Sequence, residues 1–523
     1  MNTKIKQGKI ILLGFYLSGI IIGGGILALP FVSRDLGLPF LILLLILFGV
    51  LFHRIYIRII DSVGYALRGI AKIEPGLSIY DYSMSVSGLN RFGRWAFAIG
   101  LFLYIIPADI VYILYGMKSI LDLSCLLSTE IDEILLIAGI SIAIITITIT
   151  WYFVKYKTYY LTLHTSFLIK FILMLSIWIA SIGILGLISG NVSKIILSVM
   201  LYTSALVIAE FFPEKTLGAY HDIYDIHDLV PKHKVSSYLT ITKIFLILLI
   251  PTIGFILIVS RIGPPKSIPL VPSDFSSVIY SITIIVFMYI GSGVYNILIY
   301  KWITNHLENG RKAILIATLL SMFTYIVFTI LIIMSVRPDI LHLSDLNREH
   351  SFISLSRQLK VVDLTTIGFA TIVVANIFSL VSVAVAYMGF TETLSERINL
   401  DTRIDTNIAW IVITVFIAIV TSILEIFDIT RFATDALGIA GNAGGGLFIL
   451  IIPWLLKNEK NKRRTKIAIC FLGFVTFLNI FLAINSSTII TKVSATIATI
   501  LVIIFGSAAI YEVRASKRKT ENE

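Results

Sequence analysis

Charge is what this sequence has least of. Only 14% of its 523 residues are Asp, Glu, Lys or Arg, against 57% hydrophobic residues and a mean hydropathy of +0.94. A water-soluble core of that composition is implausible, which places the chain among polytopic membrane proteins. Cysteine is almost missing too. Cys125 and Cys470 stand far apart without the neighbours of a metal or redox motif, and read as inert thiols. There is no HExxH, no Walker GxxxxGK[ST] and no nucleophile–base arrangement along the apolar stretches, so neither an enzyme nor a direct use of ATP is expected. No cofactor is implied. The net charge of +11 would suit a nucleic-acid partner, but basic residues also gather on the cytoplasmic side of membrane proteins, and their distribution decides between the two.

Long apolar runs are abundant. Windows of about twenty apolar residues suggest about fourteen spans: 10–36, 38–60, 95–121, 132–153, 161–189, 195–214, 238–260, 277–304, 312–335, 363–392, 407–426, 432–456, 465–485 and 488–512. The first is expected to stay as an uncleaved helix. Under alternating topology, Lys4, Lys6, Lys9, Lys155, Lys157, the run KNEKNKRRTK after 456, and the tail with Arg514, Lys517, Arg518 and Lys519 all fall on one face. That face is cytoplasmic, giving N-in and C-in, in a plasma-membrane protein whose partner is the lipid bilayer and not nucleic acid. The inside loop 215–237 holds His221, Asp222, Asp225, His227, Asp228 and His233 at no recognised ligand spacing, and reads as a solvated polar loop rather than a metal site.

Two of the apolar runs are interrupted by glycine. Gly14 to Pro30 reads GFYLSGIIIGGGILALP, with Gly23, Gly24 and Gly25 at its centre. The segment FMYIGSGVYNILIY places Gly291, Ser292 and Gly293 in the eighth run. Inside a bilayer a helix keeps its backbone groups paired, and unwinding is tolerated only where it lines a protein cavity. A pair of such interruptions in corresponding halves points to a transporter's midplane site. Residues 1–190 and 263–457 then form two five-helix repeats, with a two-helix insertion at 191–262 and two further helices and a basic tail at 458–523. Glycines also serve helix packing, which explains one break more readily than a matched pair.

GGGILALP at 23–30 resembles the first-helix motif of the amino acid–polyamine–organocation superfamily, whose members share the leucine-transporter fold. ANIFSLVSVAVAYMGFTETLSE at 375–396 and LGIAGNAGGGLFILIIPWLL at 437–456 are similar to the eighth and tenth core helices of its amino acid/auxin permease branch, which includes the aromatic amino acid permeases. Tyr289 to Lys312 resembles the sixth core helix and its exit. The resemblance implies an all-α membrane protein with a 5+5 inverted repeat and discontinuous helices. It also implies an amino acid bound between the breaks. A departure from the family pattern is the pair of inserted helices; a register making 195–214 the sixth core helix is the alternative, but that segment has no glycine.

Helix-end physics supports such a site. The N–H groups after Gly25 face a carboxylate favourably, and the carbonyls near Ile21, Ile22 and Tyr289 face an ammonium. Gly23, Gly24, Gly25, Ile26, Tyr289, Gly291, Ser292 and Gly293 are therefore the expected substrate contacts. Tyr104, Tyr112 and Tyr295 are further pocket candidates, with packing the default for each. Lys170, near mid-depth in the fifth run, is costly to embed and normally faces the bundle interior or water. Some proton-coupled members of the resembled superfamily carry a lysine on this helix where sodium-coupled ones bind Na⁺. Ser382 offers a hydroxyl, but its neighbour Val381 departs from the paired hydroxyls of sodium-coupled relatives, which makes proton coupling the expectation over sodium. Asn376 and Ser379 either line the site or bond between helices. Asp109 contacts substrate, relays a proton or pairs with a base.

The expected function is a secondary active importer of amino acids, proton-driven, working by alternating access. Polyamines or nucleobases as cargo, and a non-transporting amino acid sensor of the same fold, are the alternatives. Metal is disfavoured, because metal carriers of related fold want an acidic, Asn-bearing first break and a Met-rich second.

Overall fold

The computed structural model describes residues 7–34, 36–69, 91–126, 129–155, 163–216, 229–263, 272, 275–290, 307–347, 349–427, 436–438, 440–441 and single positions between 477 and 503. The described residues are helical and contain no strand. Six of the helices are long and apolar enough to cross a membrane, and shorter apolar helices accompany them. The outward faces of the described helices carry bare aliphatic side chains such as Leu43, Leu47, Leu319, Val412, Val415 and Ile419. That is the surface a helical membrane protein turns to lipid, where backbone groups are satisfied internally and side chains are apolar.

The first apolar run is not one helix. α1 (Gln7–Ile21) stops, and the Gly23 N–H folds back onto the Ile21 carbonyl at 2.8 Å. Gly23 is extended, at φ −86° and ψ −167°, before a short 3₁₀ turn over Gly24–Leu27. α2 (Leu29–Ser33) then begins with Pro30 in its first turn, where the missing N–H costs no hydrogen bond. After α3 (Leu38–Gly69) and α4 (Arg91–Leu126) come α5 (Thr129–Lys155) and α6 (Leu163–Leu187). α5 and α6 form a hairpin whose backbones nearly touch: a Cβ on Gly139 would lie 2.4 Å from the Ala180 nitrogen. Such close approach is the membrane mode of helix association. α7 (Asn191–Thr216), α8 (Leu229–Ile262), α9 (Phe275–Ile290) and α10 (Leu307–Ser335) follow.

The stretch 336–362, which lies between two of the expected spans, is largely helical: α11 (Pro338–Leu346) and α12 (Ser351–Val361). Both are far too short for a twenty-residue apolar window, and α12 alternates polar with apolar residues. It is nonetheless sunk into the bundle, burying Phe352, Leu355 and Leu359 together with Ser351, Ser354 and Gln358. α13 (Thr365–Thr402) and α14 (Thr406–Ile426) complete the described helices, the latter capped by the Asp405 carboxylate, which accepts from the Asn407 N–H at 2.9 Å.

The packing partners fall into pairs. α9 lies against the 3₁₀ turn, α2 and α3; α10 against α1 and α3; α13 against α4; α14 against α7 and α4. α8 runs beside α1 and α10, and the α5–α6 hairpin touches the rest mainly through α4 and α7.

Candidate functional site

The break in the first run is where the structure concentrates long-range polar contacts. Helix termini leave carbonyls without intrahelical partners, and when buried these groups need donors from elsewhere. At the end of α1, the Ile21 carbonyl accepts from the Tyr325 hydroxyl of α10 at 2.7 Å, and the Ile22 carbonyl accepts from the Lys243 ammonium of α8. The same Tyr325 hydroxyl reaches the Met288 carbonyl of α9 at 3.1 Å. Tyr56 of α3 donates to the Tyr289 and Ile290 carbonyls, the latter at 2.6 Å. Tyr289 in turn donates to the Leu45 carbonyl at 2.9 Å. Two tyrosines and one lysine thus close the ends of α1 and α9, and one of the tyrosines holds both.

The opposite side of the break is aromatic. A Cβ on Gly25 would meet Met288 and Phe287 at 3.0 Å, and one on Gly23 would stand 3.3 Å from the Tyr112 hydroxyl. These glycines therefore permit a close approach of backbone to side chains. Phe287 stacks on Phe390 of α13, and Tyr104 and Tyr112 of α4 lean on Phe390 at 5.3 and 5.5 Å between ring centres. Tyr104, Tyr112, Phe287 and Phe390 wall the break on the α4–α13 side. The first N–H groups of the 3₁₀ turn, at Gly24 and Gly25, have no acceptor within their own turn, as at any helix start.

Of the substrate contacts expected from the sequence, Gly23, Gly24, Gly25, Ile26 and Tyr289 are brought to this junction, Ile26 and Tyr289 fully buried. Gly291, Ser292, Gly293 and Tyr295 lie outside the described residues; α9 is described as far as Ile290, the residue before them. Lys170 is on α6, with its side chain outside the described set, and the His/Asp-bearing segment 217–228 is outside it as well. Ser382 is buried on α13, and its hydroxyl has no partner among the described residues.

Asn376 is turned elsewhere. Its side-chain oxygen sits 3.1 Å from Nε2 of His350, at the start of α12, and His350 meets the Tyr115 ring edge-on at 6.4 Å. Burial lowers the His350 pKa to about 4, so the ring is neutral at physiological pH. Ser379 is buried, and its hydroxyl has no partner among the described residues. One turn further along α4, Lys118 pairs with Glu425 of α14 at 2.8 Å, and Arg357 pairs with Glu349. Burial raises the Glu349 carboxyl to about 7, against the opposing pull of Arg357. Asp109 is fully buried, and its Oδ2 accepts from the Thr391 hydroxyl of α13 at 3.0 Å.

Lys243, Tyr56, Tyr325, Phe287 and Phe390 were not singled out by sequence reasoning. Lys243 had a signal, a cation set within the apolar run TITKIFLILLI. The others are aromatic residues in a chain with 23 tyrosines and 32 phenylalanines, where nothing local marks one from another. No protein-family model matches the chain, and comparison with curated proteins returns no match.

Proposed function

We propose that this protein is a secondary active transporter that imports amino acids by alternating access, driven by protons. The observation that carries the reading is the broken first helix. It offers N–H groups with no acceptor in their own turn, helix-end carbonyls that accept from α8 and α10, and an aromatic wall on the α4–α13 side. An α-carboxylate suits the N–H groups of Gly24 and Gly25. The carbonyl ends suit a cation, which in the described conformation is the Lys243 ammonium. A zwitterion's ammonium would exchange for one of the donors already there.

The helix pairings support a leucine-transporter type of inverted repeat in a register that differs from the sequence expectation. If the first unit is α1/α2, α3, α4, α7 and α8, and the second starts with α9, α10, α13 and α14, equivalent members pack on each other in the four pairs that the described residues contain. α2 and the 3₁₀ turn meet α9, α3 meets α10, α4 meets α13, and α7 meets α14. The α5–α6 hairpin is then the insertion. This register makes α8 the fifth helix, and Lys243 takes the role the sequence assigned to Lys170: a fixed cation on the fifth helix beside the first break. With a protein cation there, a sodium ion would be redundant.

A sensor of the same fold would bind without moving its ligand. Reconstitution into proteoliposomes with a panel of labelled amino acids, under an imposed pH gradient and separately a sodium gradient, tests the proposal. Uptake under the pH gradient supports it. Binding without uptake favours the sensor, and uptake only with sodium would refute the role given to Lys243.

A further inference from the structure

The junction just described leaves one buried acid unexplained. Asp109 is on α4, three residues from Tyr112, so both lie on one helical face, and Tyr112 is the residue whose hydroxyl faces Gly23. Thr391, its hydrogen-bond partner, follows Phe390, whose ring touches Tyr112. The carboxyl therefore sits directly behind the aromatic wall of the break, about one helical turn (~5 Å) from the tyrosine at Gly23.

Its surroundings are polar but uncharged among the described residues. Tyr387 of α13 faces the carboxyl and donates to Thr414 of α14 at 2.8 Å. Tyr202 of α7 lies beyond Tyr387. Lys118 and Glu425, the charged pair between α4 and α14, are nine residues further along α4 from Asp109 and engaged with each other. From α6, Lys170 is eight residues before Trp178, which stacks on Tyr202 beside Gly116, so its backbone reaches about the height of Asp109. Oδ1 of Asp109 has no hydrogen-bond partner among the described residues. A carboxyl embedded in a membrane protein is costly to charge and is normally functional.

Resting on the proton-driven reading above, we propose that Asp109 is the group that takes up and releases the driving proton. The carboxylate accepts one proton from water while the site is open to the outside. It carries that proton through the occluded state as a neutral acid, Oδ1 holding the hydrogen and Oδ2 still accepting from Thr391. It returns the proton to water on the inner side. No other bond is made or broken. Rearrangement of the break reaches the acid through Tyr112 and Phe390, which link it to Gly23 and to Phe287 of α9.

The test uses the full chain in lipid vesicles, as wild type, Asp109→Asn and Asp109→Asn/Lys170→Met. Asparagine keeps the size of the side chain and a partner for Thr391. Infrared difference spectra on stepping the pH from acid to alkaline need no substrate. They are expected to show a carboxylic-acid C=O band that comes and goes in wild type and is missing from Asp109→Asn. A spectrum with no such Asp109-dependent change would overturn the proposal. With labelled leucine and phenylalanine as probes, Asp109→Asn is expected to lose accumulation under a pH gradient, falling to the level of gradient-free vesicles. Exchange of internal for external probe should persist. Accumulation that persists in Asp109→Asn overturns the proposal. So does accumulation restored by adding Lys170→Met, which would make the acid a mere ion partner. If wild type takes up neither probe nor any other amino acid of the panel, the transporter reading fails, and the infrared titration alone then decides whether Asp109 is a proton site.

Discussion

Removing one oxygen atom tests whether the break after α1 and the last described turn of α9 are held as a unit. Tyr325→Phe keeps the ring and its edge-on contact with Tyr289 at 5.3 Å, but deletes the hydroxyl that serves both the Ile21 and Met288 carbonyls. Both carbonyls are buried at helix ends. Hydrogen bonds within membrane proteins average about 0.6 kcal/mol and reach about 1.7; an orphaned buried acceptor costs about 1–3 kcal/mol. Two carbonyls sharing one donor therefore put the loss at roughly 1–3 kcal/mol, or about 5- to 150-fold in a local opening equilibrium. Hydrogen exchange read by mass spectrometry on the protein in nanodiscs is the assay. The expected result is faster exchange at residues 22–28 and, by a similar factor, in the last turns of α9. Tyr56→Phe, which strips donors only from Tyr289 and Ile290, should accelerate exchange in α9 alone. Equal exchange at residues 22–28 in wild type and Tyr325→Phe would refute the idea that Tyr325 ties the first break to the second helix.

Lys243→Met removes the cation at the Ile22 carbonyl and leaves that acceptor bare, so uptake in vesicles should fall at least about tenfold, and further than with Lys170→Met. Glu349 keeps its proton to about pH 7 in the folded protein, whereas an unfolded chain releases it near 4.5; folding stability should decline as pH rises through that window, by up to about 3 kcal/mol, and thermal melts of Glu349→Gln should show a flatter pH dependence. Gly116→Ala would thrust a methyl to 2.1 Å from Cζ of Tyr202, a ring pinned by its stack on Trp178, and the overpacking should cost about 1–3 kcal/mol or more in the same melts.

The part of the site carried by backbone chemistry was legible in the sequence. Three consecutive glycines and a following proline announce a broken helix, because glycine and proline are the weakest helix formers in an apolar run. What closes the break was not legible. Tyr325 and Lys243 reach it from helices more than 200 residues away in the chain, Tyr56 spans a similar separation to the end of α9, and no local pattern records such contacts. The assignment of roles along the spans depended on counting helices in order. A hairpin such as α5–α6 has the same apolar composition as any other helix pair and differs only in what it packs against, and Lys243 gave no sign in the sequence that it would reach the Ile22 carbonyl. α12 was missed for a different reason: its burial comes from tertiary contacts with α13 and α8, not from hydrophobicity of its own.

Uphill movement of substrate is the property on which the account stands or falls. Vesicles containing the full chain, with an alkaline interior and labelled amino acids outside at low concentration, should accumulate at least one of them above the external concentration. Accumulation should collapse when a protonophore dissipates the gradient. Equilibration without accumulation would contradict proton-driven transport, and ligand binding with no entry at all would contradict transport itself.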